Sequence, residues 1–256
     1  MVTKGANRAE REFLKELHEL GTPPALAARL RRFLHARHPG VQDRLYHGYA
    51  HSCEVAALTA RMLVSWPRVP APRKVLLILA AALHDVDPKR RPTTPPRVDG
   101  TLRHLESDPQ ARRLLKDFHS RFGFTPAQTA ALIMATDYSP RPADMRRKRA
   151  AFARARRAAF GGDPWIEQWG HRLAYWDQIA TYLRPPAESR KRVAGLAREL
   201  RRENPDFHPE DGMRELSRRF LAGLRRDHLF HYLRAEDRRR FEAATAELTR
   251  PRRSSR

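Results

Sequence analysis

The chain has 256 residues, 41% of them apolar, enough to bury a core, so disorder throughout is excluded. Lys and Arg outnumber Asp and Glu by 51 to 29, a formal charge of +22, and a field of that sign draws phosphates, nucleotides, nucleic acid or acidic lipid. One cysteine, Cys53, excludes an intrachain disulfide and a cysteine-rich zinc site; with no signal-peptide pattern and no apolar run longer than 75–83, a soluble, cytoplasmic protein is expected.

Apolar residues recur at helical spacing along nearly the whole chain, while alternating β-branched runs and hairpin signals such as Asn-Gly are missing, so the fold reads as all-α. Helices are predicted near 7–20, 23–37, 47–65, 71–84, 108–120, 126–136, 142–159, 164–183, 187–203, 210–225 and 235–248. Thr22-Pro23, Ser107-Asp108-Pro109, Thr125-Pro126 and Asp163-Pro164 each set a capping side chain ahead of a proline in the first turn. Residues 86–100, VDPKRRPTTPPRVDG, are rich in proline and cations without apolar periodicity and read as a loop. NPDFHPEDG, 204–212, punctuates the chain. The expected division is a main domain over 1–203, a C-terminal helical extension over 204–248 and a disordered basic tail over 249–256.

The segment 73–83 is apolar all round after its start, as in a helix buried on most faces, and it delivers His84 and Asp85 at its end. A buried imidazole and carboxylate must be paired. Hydrogen bonds within a core would do this; a divalent cation would also satisfy both, and would suit the negative end of the helix dipole. Upstream, LYHGYAHSCEVAALTARML sets His47 and His51 four apart, on a face continued by Val55, Leu58 and Met62. Downstream, DPWIEQWGHRLAYWDQIATYL carries a stripe of Ile166, Trp169, Leu173, Trp176, Ala180 and Leu183, and Asp177 falls on or beside it. Three helices thus each aim an acid or imidazole inward, which a site between facing helices of a bundle would explain together.

His51-Ser52-Cys53-Glu54-Val55, then His84-Asp85, then Asp177, resembles the H…HD…D pattern of the HD-domain superfamily of metal-dependent phosphohydrolases. The surrounding YHGYAHSCEV, ALHDVDP and IMATDYSP are similar to the cyclic-nucleotide phosphodiesterase and bacterial HD phosphohydrolase branches, over roughly residues 45–185. The resemblance implies an HD-type helical bundle in which His51, His84, Asp85 and Asp177 bind one or two divalent ions (Mn, Fe, Co, Ni, Zn or Mg). It implies that His47 protonates the leaving oxygen, as the matching histidine does in the phosphodiesterase branch, and that Asp137, in ATDYS, lies near the substrate. Glu106, in HLESDPQARRLLKDF, is comparable to a glutamate that follows the HD pair in the bacterial branch; its other reading is a helix-entry acid. The sequence departs from the phosphodiesterases after HDVD, where Pro88-Lys89-Arg90-Arg91 replaces a histidine and a small turn, and no counterpart of the purine-gripping glutamine is identifiable. Cyclic-nucleotide specificity is therefore not implied.

Lys89, Arg90 and Arg91 leave the HD helix for the proline-rich loop, placed either to bind substrate phosphates or to be solvated. DMRRKRAAFARARRAAF, 144–160, is the densest basic helix, suited to nucleic-acid phosphates, to an acidic membrane or to a plain surface. The expected function is hydrolysis of a phosphoester, in a nucleotide or a phosphodiester, by a metal-activated water. The alternative is a basic helical nucleic-acid-binding protein with a structural or degenerate HD site.

Overall fold

A computed structural model of the protein describes residues 4–37, 46–87, 98–136, 164–203 and 211–250. Those residues form helices and no strand, bearing out the all-α reading. In chain order they are α1 (Lys4–Glu19), α2 (Pro24–Arg37), α3 (Tyr49–Leu63), α4 (Ala71–Leu83), α5 (Val98–Ser107), α6 (Pro109–Phe122), α7 (Pro126–Ala135), α8 (Pro164–Ala180), α9 (Pro186–Glu203), α10 (Asp211–Arg226) and α11 (Ala235–Thr249). Short 3-10 turns, Thr181–Leu183 and His228–Tyr232, follow α8 and α10. No described helix is long and apolar enough to cross a membrane. The predicted helix at 142–159 lies outside the described residues.

The centre of the molecule is α4. Every residue from 75 to 83 is at most 1% exposed, as an all-round apolar helix requires. Neighbours α3, α7 and α8 pack against it, and α1 lies along α3 with Phe13 and Leu17 fully buried. Around these, α5 and α6 join α7, while α2 packs on α6. The C-terminal helices share the same core: α9 packs on α11 and on the first 3-10 turn, and Leu221, Leu224, Leu229, Phe230 and Phe241 are all buried in it. The Tyr175 hydroxyl of α8 donates to the Leu224 carbonyl of α10 at 3.0 Å, and buried Glu54 of α3 takes ion pairs from Arg184 and Arg192.

Two of the four proposed caps form as expected. Asp108 accepts from the Gln110 and Ala111 amides, and Thr125 makes a reciprocal capping box with Gln128. Thr22 does not cap: its hydroxyl is buried without a partner among the described residues, and the Pro23 carbonyl starts α2 instead. Asp163 lies outside the described residues. Helix α5 was not expected from the sequence. Its buried residues are Thr101, His104 and Leu105, so its inward face is mostly polar and leaves no apolar period. It butts against the end of α4: the Thr101 hydroxyl donates to the His84 carbonyl at 3.2 Å. Asp87 presses on Gly100, where a Cβ would stand 2.4 Å from a carboxylate oxygen.

All four tryptophans gather at one flank of α8. Trp66 lies 5.5 Å from Trp169 and 6.0 Å from Trp176, and Trp165 lies 5.7 Å from Trp169, centroid to centroid. The Arg172 guanidinium sits 4.5 Å above the Trp169 ring, a cation–π contact in a largely dry setting.

Candidate metal centre

Each expected ligand reaches the centre by its own route. His84 is the C-cap of α4 and Asp85 follows it, so the apolar helix ends with both groups buried. His51 lies in the first turn of α3 and is 1% exposed. Asp177 comes from the inward side of α8, beside fully buried Trp176.

These side chains converge. His51 Nε2 is 2.8 Å from Asp177 Oδ1 and 3.7 Å from Asp85 Oδ2; His84 Nε2 is 3.2 Å from the former and 3.3 Å from the latter. His84 Nδ1 stands 2.7 Å from the Ala81 carbonyl, an atom that only accepts. Nδ1 therefore carries a hydrogen, and Nε2 faces the carboxylates. Yet His84 Nε2, His51 Nδ1 and Asp85 Oδ2 are buried with no hydrogen-bond partner among the described residues. His51 Nε2 and Asp177 Oδ1 hydrogen-bond to each other, but the other donors and acceptors lie close without being aligned.

Burial disfavours the charged forms of His84, Asp85 and Asp177, and the neighbours outweigh it. The His84 imidazolium is held well above its usual range by Asp85 and Asp177. Asp85 is held far below the usual carboxylate range by His84, His47 and His51, and Asp177 is lowered to about 2 by His84 and His51.

His47 needs a correction of geometry. Gly48, with extended backbone, is the N-cap of α3, so His47 lies in the turn before the helix and shares no helical face with His51. It still arrives at the site, its ring 5.7 Å from that of His51. What holds it there is a residue the sequence did not single out. Glu199 of α9, fully buried, accepts from His47 Nδ1 at 2.6 Å and from the Tyr46 amide at 2.7 Å. Both carboxylate oxygens are thus engaged, which fixes the imidazole and leaves Nε2 as its remaining proton site. Burial opposes the imidazolium of His47, but Asp85, Glu199 and Asp177 together raise it above its usual range.

Comparison with family models, curated proteins and solved structures found no match.

The site therefore rests on its own geometry. His51, His84 and Asp85, all buried, each bring one donor atom within 4.8 Å of the others and are able to hold a metal ion. The structure brings His47, His51, His84, Asp85 and Asp177 together. Glu106 is exposed in the last turn of α5, outside this cluster. Asp137, Lys89, Arg90 and Arg91 lie outside the described residues. Glu199 carries no signal of its own: in AGLARELRRE an acid among arginines reads as a surface ion pair.

Proposed function

We propose that the protein is a metal-dependent phosphohydrolase of the HD type, acting on a phosphoester such as a nucleotide or a phosphodiester. The observation that carries this reading is the quartet of buried His51, His84 and Asp85 with half-buried Asp177, whose nitrogen–oxygen separations run from 2.8 to 3.7 Å. Donors around an ion with bonds of about 2.0–2.2 Å stand roughly 3–3.6 Å apart, close to those spacings. The orphaned His84 Nε2 and Asp85 Oδ2 fit the same need, since buried polar atoms otherwise find partners. Two imidazoles and two carboxylates suit Mn, Fe, Co, Ni or Zn. Such an ion, when bound, supplies a water acidic enough to ionise near neutrality and polarises a phosphoryl oxygen.

The remaining chemistry belongs to the chain. His47, protonated and hydrogen-bonded to Glu199, gives its Nε2 proton to the leaving oxygen, and Glu199 steadies the imidazolium before transfer and orients the neutral ring after it. Tyr46, buried with its ring 4.9 Å from that of His51, keeps bulk water from that side. Lys89, Arg90 and Arg91 follow Asp85 within six residues and are the proposed phosphate contacts.

The test is metal content by mass spectrometry after loading with Mn, Fe, Co, Ni or Zn, with hydrolysis of a phosphoester panel, for wild type, Asp85→Ala and Asp177→Ala. The expected result is loss of about one or two equivalents and of hydrolysis in both variants. A wild type whose metal content neither variant alters would overturn the reading. Salt-sensitive polynucleotide binding without hydrolysis would then favour the basic binding-protein alternative.

A further inference from the structure

A second group of metal-type donors shares no residue with the quartet. His171 is on the outer side of α8, Asp227 lies between α10 and the second 3-10 turn as its N-cap, and His228 begins that turn. His171 Nε2 is 3.3 Å from Asp227 Oδ2, and His228 Nδ1 is 3.2 Å from Asp227 Oδ1. The two imidazole rings stack, 6.0 Å between centroids and 16° between planes. One donor atom from each of the three residues lies within 4.8 Å of the others.

We propose that His171, Asp227 and His228 form a surface site for a zinc-type transition-metal ion that ties the C-terminal helices to α8. Two imidazoles and one carboxylate are a donor set that zinc takes readily, and its tetrahedral neighbours stand roughly 3.3–3.6 Å apart, beside the 3.3 Å from His171 Nε2 to Asp227 Oδ2 found here. The carboxylate is already aimed. Its Oδ1 accepts from the Leu229 amide at 2.9 Å, capping the 3-10 turn, so Oδ2 is left for an ion, the kind of backing that orients metal ligands elsewhere. The two sides of the site are also in register without an ion: the hydrogen bond from Tyr175 to Leu224 lies one turn along α8 on the same seam. The histidine side chains are 56% and 67% exposed, so water completes the coordination sphere and the ion has free entry. In a chain of formal charge +22 an added cation is repelled at long range, and Asp227 offsets that locally.

The experiment is zinc titration of the chelator-stripped full-length protein, read as equivalents bound by calorimetry and as the zinc-induced rise in melting temperature. The comparison set is wild type, Asp227→Asn, the double variant H171Q/H228Q, and Asp85→Ala. Asparagine keeps the capping oxygen at 227 while removing the charge, and both histidines are exposed, so these variants fold. The expected result is that Asp227→Asn binds the surface equivalent at least about tenfold more weakly, and that H171Q/H228Q loses it together with its share of the melting rise. Asp85→Ala retains it, which separates this site from the buried one. Equal stoichiometry and affinity in wild type and H171Q/H228Q, or no zinc bound by wild type at all, would overturn the proposal.

Discussion

Two clusters of histidine and aspartate occur among the described residues, one largely buried at the centre and one open on the surface, with nearly the same nitrogen–oxygen spacings. In the inner one His51 and His84 are at most 2% exposed, and buried atoms are left without partners among the described residues. In the open one, solvent reaches both imidazoles. The difference lies in what happens when no cation is present. On the surface, water satisfies the donors and the pairing is worth little; at the centre His51 and Asp177 hydrogen-bond to each other, while His84 Nε2 and Asp85 Oδ2 stay without partners among the described residues in a largely dry space. An ion would thus satisfy orphaned atoms at the centre and be an option at the surface.

The largest effect that sharpens this contrast is thermal. An ion held at 100 times its dissociation constant adds about 2.7 kcal/mol to stability, which for a chain of this size is a shift of roughly 5–10 °C. Chelation should lower the melting temperature of wild type by that much and that of Asp85→Ala only by the share that belongs to the surface site; equal responses of the two proteins to chelator would erase the distinction. Next comes the acid held by α9. Glu199→Gln should keep the metal content of wild type and lower kcat about 100-fold. The pH profile gives the sign: if His47 acts protonated as proposed, activity falls as pH rises through its pKa, and removing the Glu199 charge moves that falling limb to lower pH. A limb that stays in place would deny Glu199 its positioning role.

The smallest effect concerns acids that have backbone amides for partners. Asp108→Ala should cost about 1 kcal/mol, the worth of a helix cap, whereas Asp227→Asn in metal-free buffer, which keeps its capping oxygen, should cost under about 0.5 kcal/mol. Burial opposes ionisation of Asp108, and its amide bonds to Ala111 and Gln110, with Arg37 and His104, lower its pKa nonetheless. Its contribution is therefore full above the ordinary carboxylate value and fades as pH falls through the lowered one. Denaturant melts of Asp108→Ala and wild type should converge in acid; a constant gap would mean that the cap works without its charge.

How far the sequence could be read depended on whether each residue broke a pattern. His84 and Asp85 ended a run apolar on all faces, and Asp177 stood beside an otherwise apolar stripe, so burial of an ionisable group was visible in the letters. Glu199 broke nothing, because an arginine-rich amphipathic helix is expected to carry acids, and only its turn toward the core distinguishes it. Helix α5 was missed because it buries threonine and histidine beside a single leucine, and Gly100 and the prolines before it read as loop chemistry. His47 was brought to the site by the wrong geometry, a helical face, when a turn at Gly48 does the work. His171 meets Asp227 and His228 across a gap of more than fifty residues, and exposed polar residues leave no periodicity to follow.

The gathering of every tryptophan of the chain around α8 gives the molecule a built-in optical probe. Trp66, Trp165, Trp169 and Trp176 form a chain of rings close enough to share excitation, and Trp176 directly precedes Asp177. Intrinsic emission and near-ultraviolet dichroism thus come from one neighbourhood, along the helix that also carries His171. A paramagnetic ion such as Co or Ni at the central quartet would dim that emission, so filling of the site can be followed by light, without a label and before any substrate is known.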